Sequence, residues 1–62
     1  MSNNKMIELR NNKTIKEITD ELELNPNMYE AYENGTRTPK DIVKTRIANY
    51  FGVKVTDIWQ KV

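Results

Sequence analysis

Apolar residues along this chain recur three and four positions apart, and no stretch alternates as a strand would. Met6 and Leu9 mark a first helix near residues 4–11. Ile18 and Leu22 share one face of a second helix of about two turns that ends near Glu23. Met28, Tyr29 and Tyr32 line one side of a third helix over residues 26–33. Val43, Ile47, Tyr50 and Phe51, with Ile42 beside them, form the stripe of a fourth, and Val55, Ile58, Trp59 and Val62 have the i, i+3, i+4, i+7 spacing of a short fifth. The pattern predicts an all-α chain of five short helices.

Polar residues punctuate these stripes where helices begin and end. Thr14-Ile15-Lys16-Glu17 has the form of a capping box, in which the threonine hydroxyl accepts the Glu17 N–H and the Glu17 carboxylate accepts the Thr14 N–H. Asn25-Pro26 combines a strong N-cap with a residue that fits the first helical position because its missing N–H is not needed there. Thr38-Pro39-Lys40-Asp41 repeats that logic, with Asp41 closing the box. Gly35 and Gly52 are placed to take the left-handed conformation that closes a helix. Lys54 is a poor N-cap, so the fifth helix is expected to be the least stable.

Helices two and three are separated only by Leu24 and its neighbours. Two short helices so close in sequence cannot lie antiparallel along their length and are expected to cross steeply, as in a helix-turn-helix. If the tyrosines of helix three face inward, Asn27, Glu30, Ala31 and Asn34 face outward at i, i+3, i+4, i+7, with Pro26 at the tip. Those side chains match the edges of base pairs in the major groove: Asn pairs with adenine, Glu accepts from the cytosine amino group and Ala meets the thymine methyl. Asn27, Glu30, Ala31 and Pro26 are therefore candidate base contacts. The same polar stripe also describes an ordinary solvent face.

The charge distribution bears on that choice. The net charge is only +1, but residues 1–16 balance to +3, residues 17–33 to −6 and residues 34–62 to +4. A polyanion would have to meet the two ends of this pattern and avoid its middle. Taken by itself, the pattern fits a solvated surface of mixed charge better than a DNA-binding one.

Composition removes several function classes. The chain has no Cys and no His, so disulfides, thiolate nucleophiles, imidazole bases and the usual zinc sets are not available. Its two glycines stand apart and make no phosphate loop. The expectation is a single domain over residues 5–62 behind a frayed start at 1–4, with no enzymatic activity, cofactor, metal, membrane span or small-molecule ligand, in the cytoplasm. At 62 residues the surface buried on folding supports only marginal stability, which leaves helix packing and self-association as its reinforcements.

Three strings carry a family resemblance: Thr14 to Asn25, then Tyr32-Glu33-Asn34-Gly35-Thr36-Arg37-Thr38-Pro39, then Ile47-Ala48-Asn49-Tyr50-Phe51-Gly52-Val53 with Val55-Thr56-Asp57-Ile58-Trp59. Together they cover nearly the whole chain beyond its first residues, and they closely resemble the Cro/repressor-type helix-turn-helix family, also known as the xenobiotic-response-element family. The resemblance implies a lambda-repressor-like domain of five helices, a DNA-binding transcriptional regulator such as a phage or mobile-element repressor, and commonly a homodimer on palindromic double-stranded DNA. It implies backbone-phosphate contacts from Thr14, Ile15 and Lys16 and from Asn34, Thr36, Arg37, Thr38 and Lys40. It also implies an ion pair between Arg10 and Glu33, provided that the turn before Thr14 is about two residues shorter than usual; an ungapped alignment sets Glu8 against Glu33 instead.

The chain departs from the family at Ile15, where Gln is common, at Thr19, where Ala is usual, and at Glu23, where Gly is frequent. Helix three carries no Arg, Lys or Gln, and Glu30 would repel phosphate. These departures, with the acidic middle segment, leave a second class of function open: a protein-interaction module, such as an antirepressor or a regulator's partner, that keeps the fold without binding DNA. Trp59 also has two readings, as part of the core against helix one or as part of a self-association surface with Val55 and Val62.

Overall fold

A computed structural model describes residues 4–59. It contains five short α-helices, and no strand occurs among the described residues. They are α1 (Asn4–Arg10), α2 (Ile15–Leu22), α3 (Pro26–Asn34), α4 (Asp41–Phe51) and α5 (Val55–Ile58). Asn4, expected in the frayed start, is the first residue of α1. Residues 1–3 of that start, and Val62 of the fifth stripe, lie outside the described residues.

The apolar stripes converge on one core. Met6, Ile18, Leu22, Tyr29, Tyr32, Ile47, Ala48 and Ile58 are buried in it, so every helix contributes at least one residue. Leu9, Ile15, Met28, Tyr50, Phe51 and Trp59 are half-buried and pack around them. The radius of gyration, 10.4 Å, is that of a folded chain of this length. Among the described residues, no helix is long and apolar enough to cross a membrane.

The α2 start is fixed by both halves of its box. The Glu17 N–H donates to Thr14 Oγ1 at 3.1 Å, and the Thr14 N–H donates to Glu17 Oε1 at 2.9 Å. The Thr14 N–H, with the Thr14 hydroxyl next, stabilises the ionised carboxylate and holds Glu17 below the ordinary glutamate range. At α3, Asn25 Oδ1 accepts from the N–H groups of Asn27 at 2.8 Å and Met28 at 3.2 Å, with Pro26 at the first helical position.

The α4 start differs from expectation. Its N-cap is Lys40, which is extended and gives no side-chain cap, so Thr38 and Asp41 do not close a box. Pro39 is buried rather than standing at the first helical position. With Pro39 buried ahead of it, the helix begins two residues later than a Thr38 cap would require. At the other end of the molecule α5 is a single turn, closed when Trp59 becomes extended at φ −111° and ψ 95°. Its start is half-capped, with the Lys54 N–H donating to Asp57 Oδ2 at 3.0 Å.

Helices α2, α3 and α4 end in the same way, with a left-handed residue followed by a backbone bond reaching five residues back. These bonds run from Leu24 to Thr19, from Thr36 to Ala31 and from Val53 to Ala48, at 2.9, 3.1 and 3.0 Å. Such closures satisfy carbonyls that the helix leaves without partners. Gly35 and Gly52 take the left-handed position in α3 and α4, but in α2 it falls to Glu23 at φ 58°. Asn11, just after α1, is left-handed as well.

Candidate nucleic-acid interface

Helix α3 has two contrasting sides. Tyr29 and Tyr32 are buried, while Pro26, Asn27, Glu30 and Asn34 are exposed and Ala31 is half-buried. The side chains of Asn27, Glu30 and Asn34 make no hydrogen bond among the described residues, so their polar groups are available to a partner. Only Glu23, Leu24 and Asn25 separate α3 from α2. The Ala31 carbonyl collects the closure of the helix, accepting from the N–H groups of Gly35, Thr36 and Arg37 and from Thr36 Oγ1 at 3.3 Å.

The far end of α3 is tied to α1. Arg10 Nε donates to Glu33 Oε2 at 2.9 Å and Arg10 Nη2 donates to Glu33 Oε1 at 3.3 Å, so the guanidinium grips both carboxylate oxygens. Arg10 Nη1 donates to the Lys13 carbonyl at 3.3 Å and draws in the short turn before α2. Glu33 is buried, and a charge in that position requires a bidentate partner of this kind. Glu8 is exposed, and the pairing that an ungapped alignment would set against Glu33 is not the one found.

The remaining sequence-predicted contacts fall into two groups. Arg37, Thr38 and Lys40 are exposed in the segment between α3 and α4, and the side chains of Arg37 and Lys40 make no hydrogen bond or ion pair among the described residues. At the start of α2, Thr14 is exposed but its hydroxyl serves the cap, and Lys16 Nζ lies 3.1 Å from Asp20 Oδ2. Ile15 is half-buried against the core, which accounts for an apolar residue at that position. Thr19 is buried, and its hydroxyl is satisfied within its own helix by the carbonyls of Ile15 at 2.8 Å and Lys16 at 3.2 Å.

Three features had no signal in the sequence. The first is a knot at Tyr50. Lys13 Nζ donates to Tyr50 Oη at 2.8 Å, Tyr50 Oη donates to Glu21 Oε1 at 2.6 Å, and the ammonium lies 5.0 Å from the tyrosine ring centroid. The bond to Tyr50 raises the Lys13 ammonium above its ordinary range. A tyrosine at the edge of an apolar stripe announces a hydroxyl that needs partners, but not which ones. The second is Arg46 of α4, whose guanidinium donates to the Leu22 carbonyl at the last residue of α2. The third is the Tyr29 hydroxyl, which is buried without a hydrogen-bond partner among the described residues. Burial, with the Glu33 carboxylate nearby, pushes its ionisation well above the ordinary tyrosine range.

Trp59 is half-buried against the core, with Lys44 Nζ 5.8 Å from its ring centroid. A shallow open groove of about 380 Å³ lies beside the α1–α2 turn, lined by residues 9–13 with Tyr50 and Phe51; none of the candidate base contacts borders it. Comparison with models of known families, with curated proteins and with solved structures finds no match for this chain.

Proposed function

We propose that this protein is a sequence-specific DNA-binding regulator of the helix-turn-helix kind, with a lambda-repressor-like fold, acting as a phage- or mobile-element-type repressor. In this reading α2 and α3 are the two helices of the motif, and α3 enters the major groove. Asn27, Glu30 and Ala31 meet base edges with Pro26 at the tip, while Thr14, Lys16, Asn34, Thr36, Arg37, Thr38 and Lys40 lie along the phosphates. A homodimer on a palindromic site would supply two such helices.

The observation that carries the reading is the two-sidedness of α3. Its large apolar groups are spent on the core, whereas Asn27, Glu30 and Asn34 stand exposed with polar side chains that no group among the described residues occupies. An outer face of this kind is shared with ordinary surface helices, and what ties it to DNA is its residue types, which match base edges, together with the cations that follow it. The free cations Arg37 and Lys40 follow directly after this helix, where the neighbouring phosphates would lie.

Selection of duplexes from a random pool, followed by binding measurements on the enriched site, tests the proposal. Arg37→Ala should weaken binding to every sequence and flatten the salt dependence by about one phosphate contact per chain. Asn27→Ala should lose discrimination at one base pair, about 1–3 kcal/mol, with little effect on random DNA. Failure to enrich any site would count against the reading. The rival, an interaction module, draws on the exposed carboxylates of Glu17, Asp20, Glu21, Glu23 and Glu30. It would gain if the protein ignored duplex DNA even at low salt.

A further inference from the structure

Lys13 and Lys16 flank the Thr14 cap, at the end of α2 that the DNA reading turns toward the phosphates. Both ammonium groups are already occupied by carboxylates farther along that helix. Lys16 Nζ is 3.1 Å from Asp20 Oδ2, and Lys13 Nζ is 3.7 Å from Glu21 Oε1, which also accepts from the Tyr50 hydroxyl that Lys13 contacts. On the other side of the proposed interface, Arg37 and Lys40 have no such partners among the described residues. The α2 flank is thus self-neutralised and the loop flank is not.

We propose that Asp20 and Glu21 are built-in competitors for DNA phosphates: they draw Lys16 and Lys13 off the backbone part of the time, so that Arg37 and Lys40 carry more of the phosphate contact than the two lysines do. This inference rests on the DNA-binding reading above and adds a regulation of that interface. Both pairs are open to solvent, with side-chain exposures of 81% and 65% for Lys16 and Asp20 and 48% and 53% for Lys13 and Glu21. Exposed pairs of this kind are weak, so phosphate and carboxylate compete for the lysines on nearly equal terms. Each lysine that stays on its carboxylate releases no DNA counterion and drops out of the salt dependence. Neutralising the two carboxylates would therefore add phosphate contacts as well as remove repulsion, and the two effects are separable. Added contacts steepen the plot of affinity against salt by about one per phosphate and need the lysines, whereas screened relief of repulsion tilts it only slightly and does not.

The test is fluorescence anisotropy of a labelled mixed-sequence duplex, measured over a series of sodium chloride concentrations. D20N/E21Q should bind about fivefold tighter at low salt than the unmodified protein, with a log–log slope steeper by about one to two. Glu23→Gln removes one carboxylate from the end of the same helix, where it holds no lysine. It should tighten binding less than twofold and steepen the slope by well under one. The D20N/E21Q effect should vanish in a K13A/K16A background. The glutamine at position 21 can still accept from Tyr50, and far-UV circular dichroism should show all variants folded. Binding gained only by D20N/E21Q would also support the inference. If the unmodified protein binds and D20N/E21Q matches Glu23→Gln in affinity and slope, the inference is overturned while the DNA reading stands. If no variant binds at the lowest salt, both fall.

Discussion

Glu33 and Glu23 sit at the ends of successive helices and have opposite circumstances. Glu33, in the last turn of α3, is buried and gripped by Arg10 through two hydrogen bonds. Glu23, just past the end of α2, is exposed, left-handed at φ 58° and held by no ion pair among the described residues. At the α3 end, glycine takes the backbone turn and the glutamate beside it is free to lock α1. At the α2 end, the glutamate has to make the turn itself. One end gains stability from its side chain, and the other loses stability through its backbone. Both glutamates lie at the ends of the helices that make up the α2–α3 unit, which is firm at Glu33 and soft at Glu23.

The largest effect should come from removing the firm end. Arg10→Ala leaves the Glu33 carboxylate buried and unpaired, at a cost of about 3–5 kcal/mol. That is most of the stability available to a chain of this length, so urea or thermal unfolding should show a protein largely unfolded at 37 °C. A loss under about 1 kcal/mol would mean that Glu33 finds water or another partner when Arg10 is absent.

The soft end should respond in the opposite direction. Glu23→Gly removes the left-handed cost of a residue with a Cβ and should stabilise by about 1 kcal/mol. Gly52→Ala is the mirror experiment. Its backbone is left-handed at φ 71° and an added Cβ would meet nothing within 4 Å, so a loss of about 1 kcal/mol would report backbone strain alone. For a chain of this size, 1 kcal/mol corresponds to a shift of about 4–8 °C in Tm. Unchanged melting for both variants would remove the distinction drawn between the ends.

Tyr29, beside the firm end, should give a gain of similar or smaller size. Its buried hydroxyl lacks a partner, so Tyr29→Phe should be neutral or stabilising by up to about 1 kcal/mol. Because burial raises its ionisation above the ordinary value near 10, the folded chain keeps a proton that the unfolded chain loses. That stability is present below about pH 10 and is lost as pH rises further, by up to about 1.4 kcal/mol per unit. Lys13, raised by its bond to Tyr50, works in the same direction, so the tyrosine is read from the difference between the unmodified protein and Tyr29→Phe. Equal alkaline unfolding in the two would refute the assignment. The smallest effect belongs to Lys16→Ala, which breaks an exposed pair and should change stability by less than about 0.5 kcal/mol.

The legible part of this fold was local. The capping box at Thr14, the Asn25-Pro26 start and the closing glycines act over three to five residues, so the sequence alone could place the helices they bound. The start of α4 escaped because the burial of Pro39, a tertiary fact, overrode a local start signal. The same limit governs the site. Period separates the buried tyrosines of α3 from its polar side, but no spacing rule links Lys13 to Tyr50, 37 residues away, or Arg46 to Leu22, 24 away. Arg10 and Glu33, 23 apart, could be paired in advance only through likeness to a family. Glu23 was marked by the same likeness, as a position where glycine is frequent.

The central claim is that the exposed side of α3 and the loop after it meet DNA. Its most direct test is a titration of the ¹⁵N-labelled protein with mixed-sequence duplex at low salt, followed residue by residue through amide chemical shifts. The account predicts movement concentrated at residues 26–40 and at the start of α2, with the outer carboxylate face of α2 and all of α5 nearly still. A spectrum that does not move at 26–40, while the protein remains folded, would contradict it.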